Sequence, residues 1–209
     1  MNSLILIRHG ESRGNVEGLF RGRIDYPLTE RGKEQAELLA SELKRFSVKK
    51  IYTSPLNRCL QTAEFIKVST GAEIIKEEGL NNIRLGKWEG KPKSFIKERW
   101  PDLWQLWLKE PERLNIPEAE TLTRVQARAY RIVREIIKEG EEGSVALVTH
   151  RAVLKPLIAK LLNIPPPYFW KVHMDNCAYS IFEVDRDRGF TLVLLNQTRH
   201  LKGFIEEKI

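Results

Sequence analysis

Two short runs that are apolar at every position stop abruptly at polar residues: Leu4-Ile5-Leu6-Ile7 at Arg8-His9-Gly10, and Val145-Ala146-Leu147-Val148 at Thr149-His150. Unbroken apolar runs of this length suit strands buried on both faces, as in a parallel sheet. Ile51–Ser54, closed by Pro55, reads as a third strand, and Glu73–Lys76 as an edge strand. Between them the period changes. Ala36, Leu39, Ala40 and Leu43 recur at i, i+3, i+4, i+7 and predict a helix over 31–46. Leu60, Ala63, Phe65 and Ile66 predict a second over 57–68. Val125, Ala129, Ile132, Val133 and Ile136 form one stripe over 122–139, ended by Gly140 and Gly143. A further helix is expected over 152–162, before Pro165-Pro166-Pro167, and a hairpin over 178–184 and 190–195 around Asp187-Arg188-Gly189. The alternation predicts an α/β three-layer sandwich: a mostly parallel central sheet with helices on both faces. Residues 86–117 break the rhythm and hold four of the five tryptophans, Trp88, Trp100, Trp104 and Trp107. They read as an excursion over one sheet edge within a single domain spanning 1–209, and the tryptophans as packing, not a binding platform.

Composition narrows the partners. The length and the 42% hydrophobic content suffice for one sizeable core. A net charge of +7 attracts anions, whether nucleic acid, anionic lipid or small phosphorylated molecules. The basic residues are interspersed with acids, as in Lys33-Glu34 and Lys97-Glu98-Arg99, and no long basic arm appears. Nucleic acid is therefore not the expected partner, and a small phosphorylated substrate is. Cys59 and Cys177 match neither a metal spacing nor a disulfide scaffold. The apolar run at Leu4–Ile7 is too short for a signal segment, and no stretch approaches a membrane span. A cytoplasmic protein with no metal, no other cofactor and no membrane association is expected.

The candidate chemistry sits at strand ends. Of four histidines, His9 and His150 each follow a buried strand and precede a turn into helix. Ligands of open parallel sheets bind at the carboxyl ends of strands, so neighbouring strands would aim both imidazoles into one crevice. Arg8 precedes His9, and Arg58 lies just past the third strand. Guanidinium forks match phosphate oxygens, helix N-termini add positive potential, and a neutral imidazole can attack phosphorus. His173 and His200 fall in less regular stretches and read as structural, and Arg21 and Arg23 read as a solvated loop.

Leu6-Ile7-Arg8-His9-Gly10-Glu11-Ser12, followed by Asn15, resembles the signature of the histidine phosphatase (phosphoglycerate mutase-like) superfamily. The resemblance continues through Gly22–Gly32, Thr53–Arg58 with Gln61-Thr62-Ala63, Gly86-Lys87-Trp88-Glu89-Gly90, Glu118–Leu122 and Val148-Thr149-His150, in the family's order. It implies a phosphoglycerate mutase-like fold and a metal-independent enzyme. It makes His9 the phosphohistidine nucleophile, with Arg8, Arg58 and His150 holding phosphoryl oxygens, assisted by Asn15 and the Arg21-Gly22 turn. The stretch after the Trp-Glu-Gly block is compact, which points to the phosphatase branch over the mutases. Asp175–Ser180 and Leu195–Leu201 are similar to metal-independent phosphoserine phosphatases. The implied function is hydrolysis of a small phosphomonoester, phosphoserine or phosphoglycerate-like.

One position departs from the pattern. The family's proton-donating glutamate falls at Asn82, and an amide delivers no proton at neutral pH. Glu120, before the long helix, is the candidate substitute acid; Glu77 and Glu78 precede the loop that carries position 82. The departure also motivates a rival reading, a catalytically silent member serving as a structural or regulatory subunit of an active homologue. The compatible assemblies are a homodimer or a heterodimer with a related subunit.

Overall fold

The expected apolar runs lie in the middle of a six-stranded sheet in the computed structural model, which describes residues 3–140, 142–185 and 187–203. The outermost ends of the expected 1–209 unit lie outside the described residues. β1 (Ser3–Arg8) leads through the short α1 (Arg13–Val16) and α2 (Glu30–Leu43) to β2 (Val48–Thr53), then α3 (Asn57–Thr70) and β3 (Glu73–Lys76). The 86–117 segment holds α4 (Lys93–Arg99) and α5 (Pro101–Lys109). After it come α6 (Leu122–Glu139), β4 (Ser144–Thr149), α7 (Arg151–Leu161), β5 (Tyr179–Asp185) and β6 (Gly189–Gln197). The strand order is β3-β2-β4-β1-β5-β6. The first four are parallel, and β5 and β6 close the sheet as an antiparallel hairpin.

The period-2 geometry of a strand sends alternate side chains to opposite faces, and both faces here are apolar. Leu4, Leu6, Val145 and Leu147 join the core with α6 and α7. Ile5, Ile7, Ala146 and Val148 join the core with α2 and α3. Such two-sided burial explains why β1 and β4 read as unbroken runs.

The helix ends follow local chemistry. Thr29 accepts from the Gly32 amide to start α2, and Thr121 from the Arg124 amide to start α6. Gly140 ends α6 in the left-handed conformation, at φ +71°. The expected helix over 31–46 divides: α2 stops at Leu43, a 3-10 turn covers Lys44–Phe46, and Ser47 reverses the chain at φ +49°. The 86–117 segment packs on the α6–α7 side, where Trp88 and Trp104 are buried in the core and the Phe20 ring meets Trp88 at a tilt with centroids 5.0 Å apart.

Candidate active site

β1 and β4 are adjacent and parallel, with Arg8 in register with Thr149. The two strands therefore release His9 and His150 at the same level, and the His9 amide donates to the Thr149 carbonyl at 3.0 Å. The imidazoles meet edge to face with centroids 5.1 Å apart. β2 lies on the other side of β4, and α3 behind it carries Arg58 in its first turn. Three strand ends thus converge on one place, and Arg8, His9, Arg58 and His150 are all buried there.

Burial determines the state of the nucleophile candidate. His9 Nδ1 lies 2.7 Å from the Gly10 carbonyl oxygen. A carbonyl only accepts, so Nδ1 carries the proton and Nε2 keeps its lone pair. Desolvation, with the cations of Arg58 and Arg8, holds His9 well below the ordinary histidine pKa. Desolvation, then Arg58 and His9, does the same to His150, whose Nε2 lies 2.8 Å from Ser54 Oγ. Both rings are neutral at pH 7.

That neutrality makes folding stability depend on pH. Unfolded histidine titrates near 6.5. Below that pH the unfolded chain takes up protons that the folded site refuses, so stability falls as pH falls. Each of the two histidines contributes a slope of about 1.4 kcal/mol per pH unit, ending at its folded pKa. Urea melts at pH 7 and pH 5.5 should show the loss; equal stability at the two would contradict two buried neutral rings.

The guanidiniums are fixed by backbone. Arg8 Nη1 donates to the Met174 carbonyl at 2.8 Å. Arg58 donates from Nη1 to Ile24 O at 2.9 Å and from Nη2 to Gly22 O at 3.2 Å, while its buried Nε has no hydrogen-bond partner among the described residues. The loop carrying Arg21 and Gly22 is held by Glu89, which accepts from the Arg23 amide through Oε1 and from the Leu85 amide through Oε2 at 3.3 Å. Position 22 favours glycine: its φ is +52°, and a Cβ there would press on the Glu89 carboxylate that holds the loop.

A cavity of about 400 Å³ opens over the histidines, and six of the expected residues line it: His9, Asn15, Arg21, Gly22, Asn82 and His150. Arg8 and Arg58 are buried beside it, close enough in charge to act on His9. Arg21, expected in a solvated loop from its local sequence, lines the cavity and donates to the Gly14 carbonyl at 3.1 Å. Trp107 likewise does more than pack, since it forms part of the wall with Phe20 and Phe169. Lys93 and Arg151 also line the cavity and were not singled out in the sequence. Arg151 had a readable signal, as the first residue of the helix that His150 caps. Lys93 had none, because only the tertiary path of the excursion brings α4 to the mouth.

Glu120 is paired in the structure. Both its oxygens are taken by Arg128, at 2.7 Å to Nε and 3.0 Å to Nη2, and it is not a lining residue. Arg128 also donates to the Gly79 and Asn82 carbonyls, at 2.7 and 3.2 Å. Glu120 therefore anchors the clamp that shapes the loop around position 82. Asn82 itself lines the cavity, but its side chain is committed locally. Nδ2 donates to Gly22 O at 2.6 Å, and Oδ1 accepts from the Ile83 amide at 3.0 Å. His173 is paired with Asp175 at 2.8 Å, and His200 rests on the Cys177 carbonyl at 3.1 Å; neither lines the cavity. Among the described residues no group of His, Cys, Asp or Glu is arranged to hold a metal ion.

The model of the histidine phosphatase superfamily (branch 1) matches residues 4–198. The chain belongs to this family. The match spans both histidine-bearing strands and the hairpin. Phosphoserine phosphatase 1 of Hydrogenobacter thermophilus is 35% identical over 207 residues, covering 99% of this chain and 98% of that protein. Among solved structures, Bacillus stearothermophilus YhfR superposes with a TM-score of 0.91 at 33% identity, covering 97% of this chain and all of that one. An Entamoeba histolytica phosphoserine phosphatase in complex with 3-phosphoglyceric acid gives 0.84 at 29% identity, covering 96% and 100%.

In this histidine phosphatase the pairing of Glu120 with Arg128 predicts a structural role for Glu120, and a substitution tests it. Glu120→Gln should lower stability by roughly 3 kcal/mol, because it leaves a largely buried guanidinium without its counter-charge. The relative rates on different phosphate esters should not change. A selective loss on esters with poor leaving groups would instead make Glu120 a proton donor.

Proposed function

We propose that this histidine phosphatase hydrolyses phosphomonoesters of small metabolites in the cytoplasm through a phosphorylated His9. The neutral Nε2 of His9, fixed by the Nδ1 contact to Gly10 and flanked by two buried guanidiniums, carries the reading. Nε2 attacks phosphorus and the ester oxygen departs. Arg8, Arg58 and His150 hold the three phosphoryl oxygens, and Asn15 with the Arg21-Gly22 turn closes the cradle. The transferring group spreads negative charge over those oxygens, so fixed cations and donors supply most of the rate. Water then attacks the phosphohistidine and releases inorganic phosphate. No step requires a metal.

Arg21, Lys93 and Arg151 line the cavity and add positive charge to its wall. The names of the relatives place phosphoserine and 3-phosphoglycerate first on a test panel. Three cations at the mouth and family relatives named as phosphatases favour an enzyme over a silent subunit. The test is rapid acid and alkaline quench with labelled ester. An acid-labile, base-stable phosphoprotein mapped to His9 is expected. Turnover without any label on His9 would end the proposal.

A further inference from the structure

Behind His9, three buried side chains hold the backbone on which the imidazole sits. A peptide unit is planar, so holding its C=O and its N–H fixes its orientation. In the unit joining residues 9 and 10, the His9 carbonyl accepts from Asn176 Nδ2 at 2.9 Å, and the Gly10 amide donates to Thr62 Oγ1 at 3.1 Å. In the next unit the Glu11 amide donates to Gln35 Oε1 at 3.0 Å, and its other end is the Gly10 carbonyl that takes His9 Nδ1–H. Gln35 belongs to α2, Thr62 to α3, and Asn176 to the turn before β5. All three are buried, and none is a lining residue of the cavity.

Each contact has a settled direction. Gln35 Nε2 donates to the Gly203 carbonyl at 3.2 Å, which turns Oε1 towards Glu11. The Thr62 hydroxyl spends its only proton on the Arg58 carbonyl at 2.8 Å and so meets the Gly10 amide with a lone pair. The Asn176 amide nitrogen only donates, which suits the His9 carbonyl. Gly10 needs such outside contacts, because a residue without a Cβ has wide conformational freedom of its own.

We propose that Gln35, Thr62 and Asn176 are positioning residues that set the tautomer and the aim of His9. They keep the Gly10 carbonyl where it holds Nδ1–H, which leaves the Nε2 lone pair for phosphorus. The catalytic consequence rests on the phosphohistidine reading; the tautomer does not. Once released, the Gly10 carbonyl turns away from Nδ1 and the ring also populates its Nε2–H form, which has no lone pair at the attacking nitrogen. The anion cradle is anchored separately, with Arg8 on the Met174 carbonyl and Arg58 on the Ile24 and Gly22 carbonyls. Loss of the clamp should therefore fall on phosphoryl transfer and spare phosphate binding.

The experiment compares full-length wild type with Gln35→Leu, Thr62→Val and Thr62→Ser. Nitrogen spectra of isotope-labelled histidine, with the His9 signals identified by their loss in His9→Ala, report which ring nitrogen carries the proton. Rapid quench with labelled phosphoserine gives the rate of His9 phosphorylation, and inorganic phosphate titration gives anion affinity. Wild type should show the Nδ1–H form alone. Gln35→Leu and Thr62→Val should show mixed tautomers and phosphorylate His9 about 100-fold more slowly, with phosphate affinity unchanged. Thr62→Ser, which keeps the hydroxyl, should recover most of the rate. If Gln35→Leu does not fold, the near-isosteric Thr62→Val against Thr62→Ser decides alone. Nδ1–H retained in the variants, whether the rate is kept or falls together with phosphate affinity, would overturn the proposal. No label on wild-type His9 would instead remove the phosphohistidine reading, and the spectra, which need no turnover, would still decide the clamp.

Discussion

His9→Ala should abolish both the phosphoenzyme and steady-state turnover, with activity falling by ~10,000-fold or more, while the site still binds phosphate. The first half follows from the lone pair. The Gly10 carbonyl holds Nδ1–H, so Nε2 is the nitrogen left to attack, whereas Nε2 of His150, the other neutral ring in the cavity, lies 2.8 Å from Ser54 Oγ. The second half follows from the division of labour. Arg8 and Arg58 are anchored on the Met174, Ile24 and Gly22 carbonyls, none of which involves His9, so the cradle should survive its loss. Inorganic phosphate or vanadate should therefore still raise the melting temperature of the variant. Residual turnover near wild type would place the nucleophile elsewhere. Loss of both turnover and anion binding would show that the imidazole also builds the cradle.

The convergence of His9, His150 and Arg58 was legible because it depends on strand ends. An unbroken apolar run that stops at a histidine states both where the strand lies and which end meets solvent. What could not be read is which neighbour each strand takes; the β2-β4-β1 order supplies that, and it brings residues 9, 58 and 150 together. The family pattern located Asn82 in the cavity but not what its amide does. That depends on the 21–23 loop crossing beneath it, a contact between residues sixty positions apart. The pairing of Glu120 was hidden for a related reason. Its place before a helix is compatible with a first-turn acid, while its true partner, Arg128, lies two helical turns on and faces the same loop. The excursion was recognised by its broken rhythm and its tryptophans. Its contribution of Trp107 and Lys93 to the cavity required the path of the chain over the α6–α7 face.

Arg58→Met should produce the second large effect, on rate, stability and pH dependence together. Loss of one donor to developing phosphoryl charge costs about 100- to 1,000-fold in kcat. The stability cost has a separate origin. Arg58 is fully buried and caps two backbone carbonyls, at Ile24 and Gly22, which methionine leaves without that donor. Each unsatisfied carbonyl is worth about 1–3 kcal/mol, although the substitution also relieves the desolvation of a buried cation. The pH effect separates the electrostatic role from the structural one. After burial, Arg58 is the largest influence holding down both His9 and His150. Removing it raises both towards the ordinary histidine value, so the nucleophile is protonated at a higher pH. Wild-type activity should stay level as pH falls through 6.5, whereas the variant should acquire an acid limb that moves up towards that value. Arg58→Lys keeps the charge but loses the fork; it should recover most of the wild-type pH profile and little of the rate. A variant that lost activity with an unshifted acid limb would confine Arg58 to holding the 22–25 loop in place.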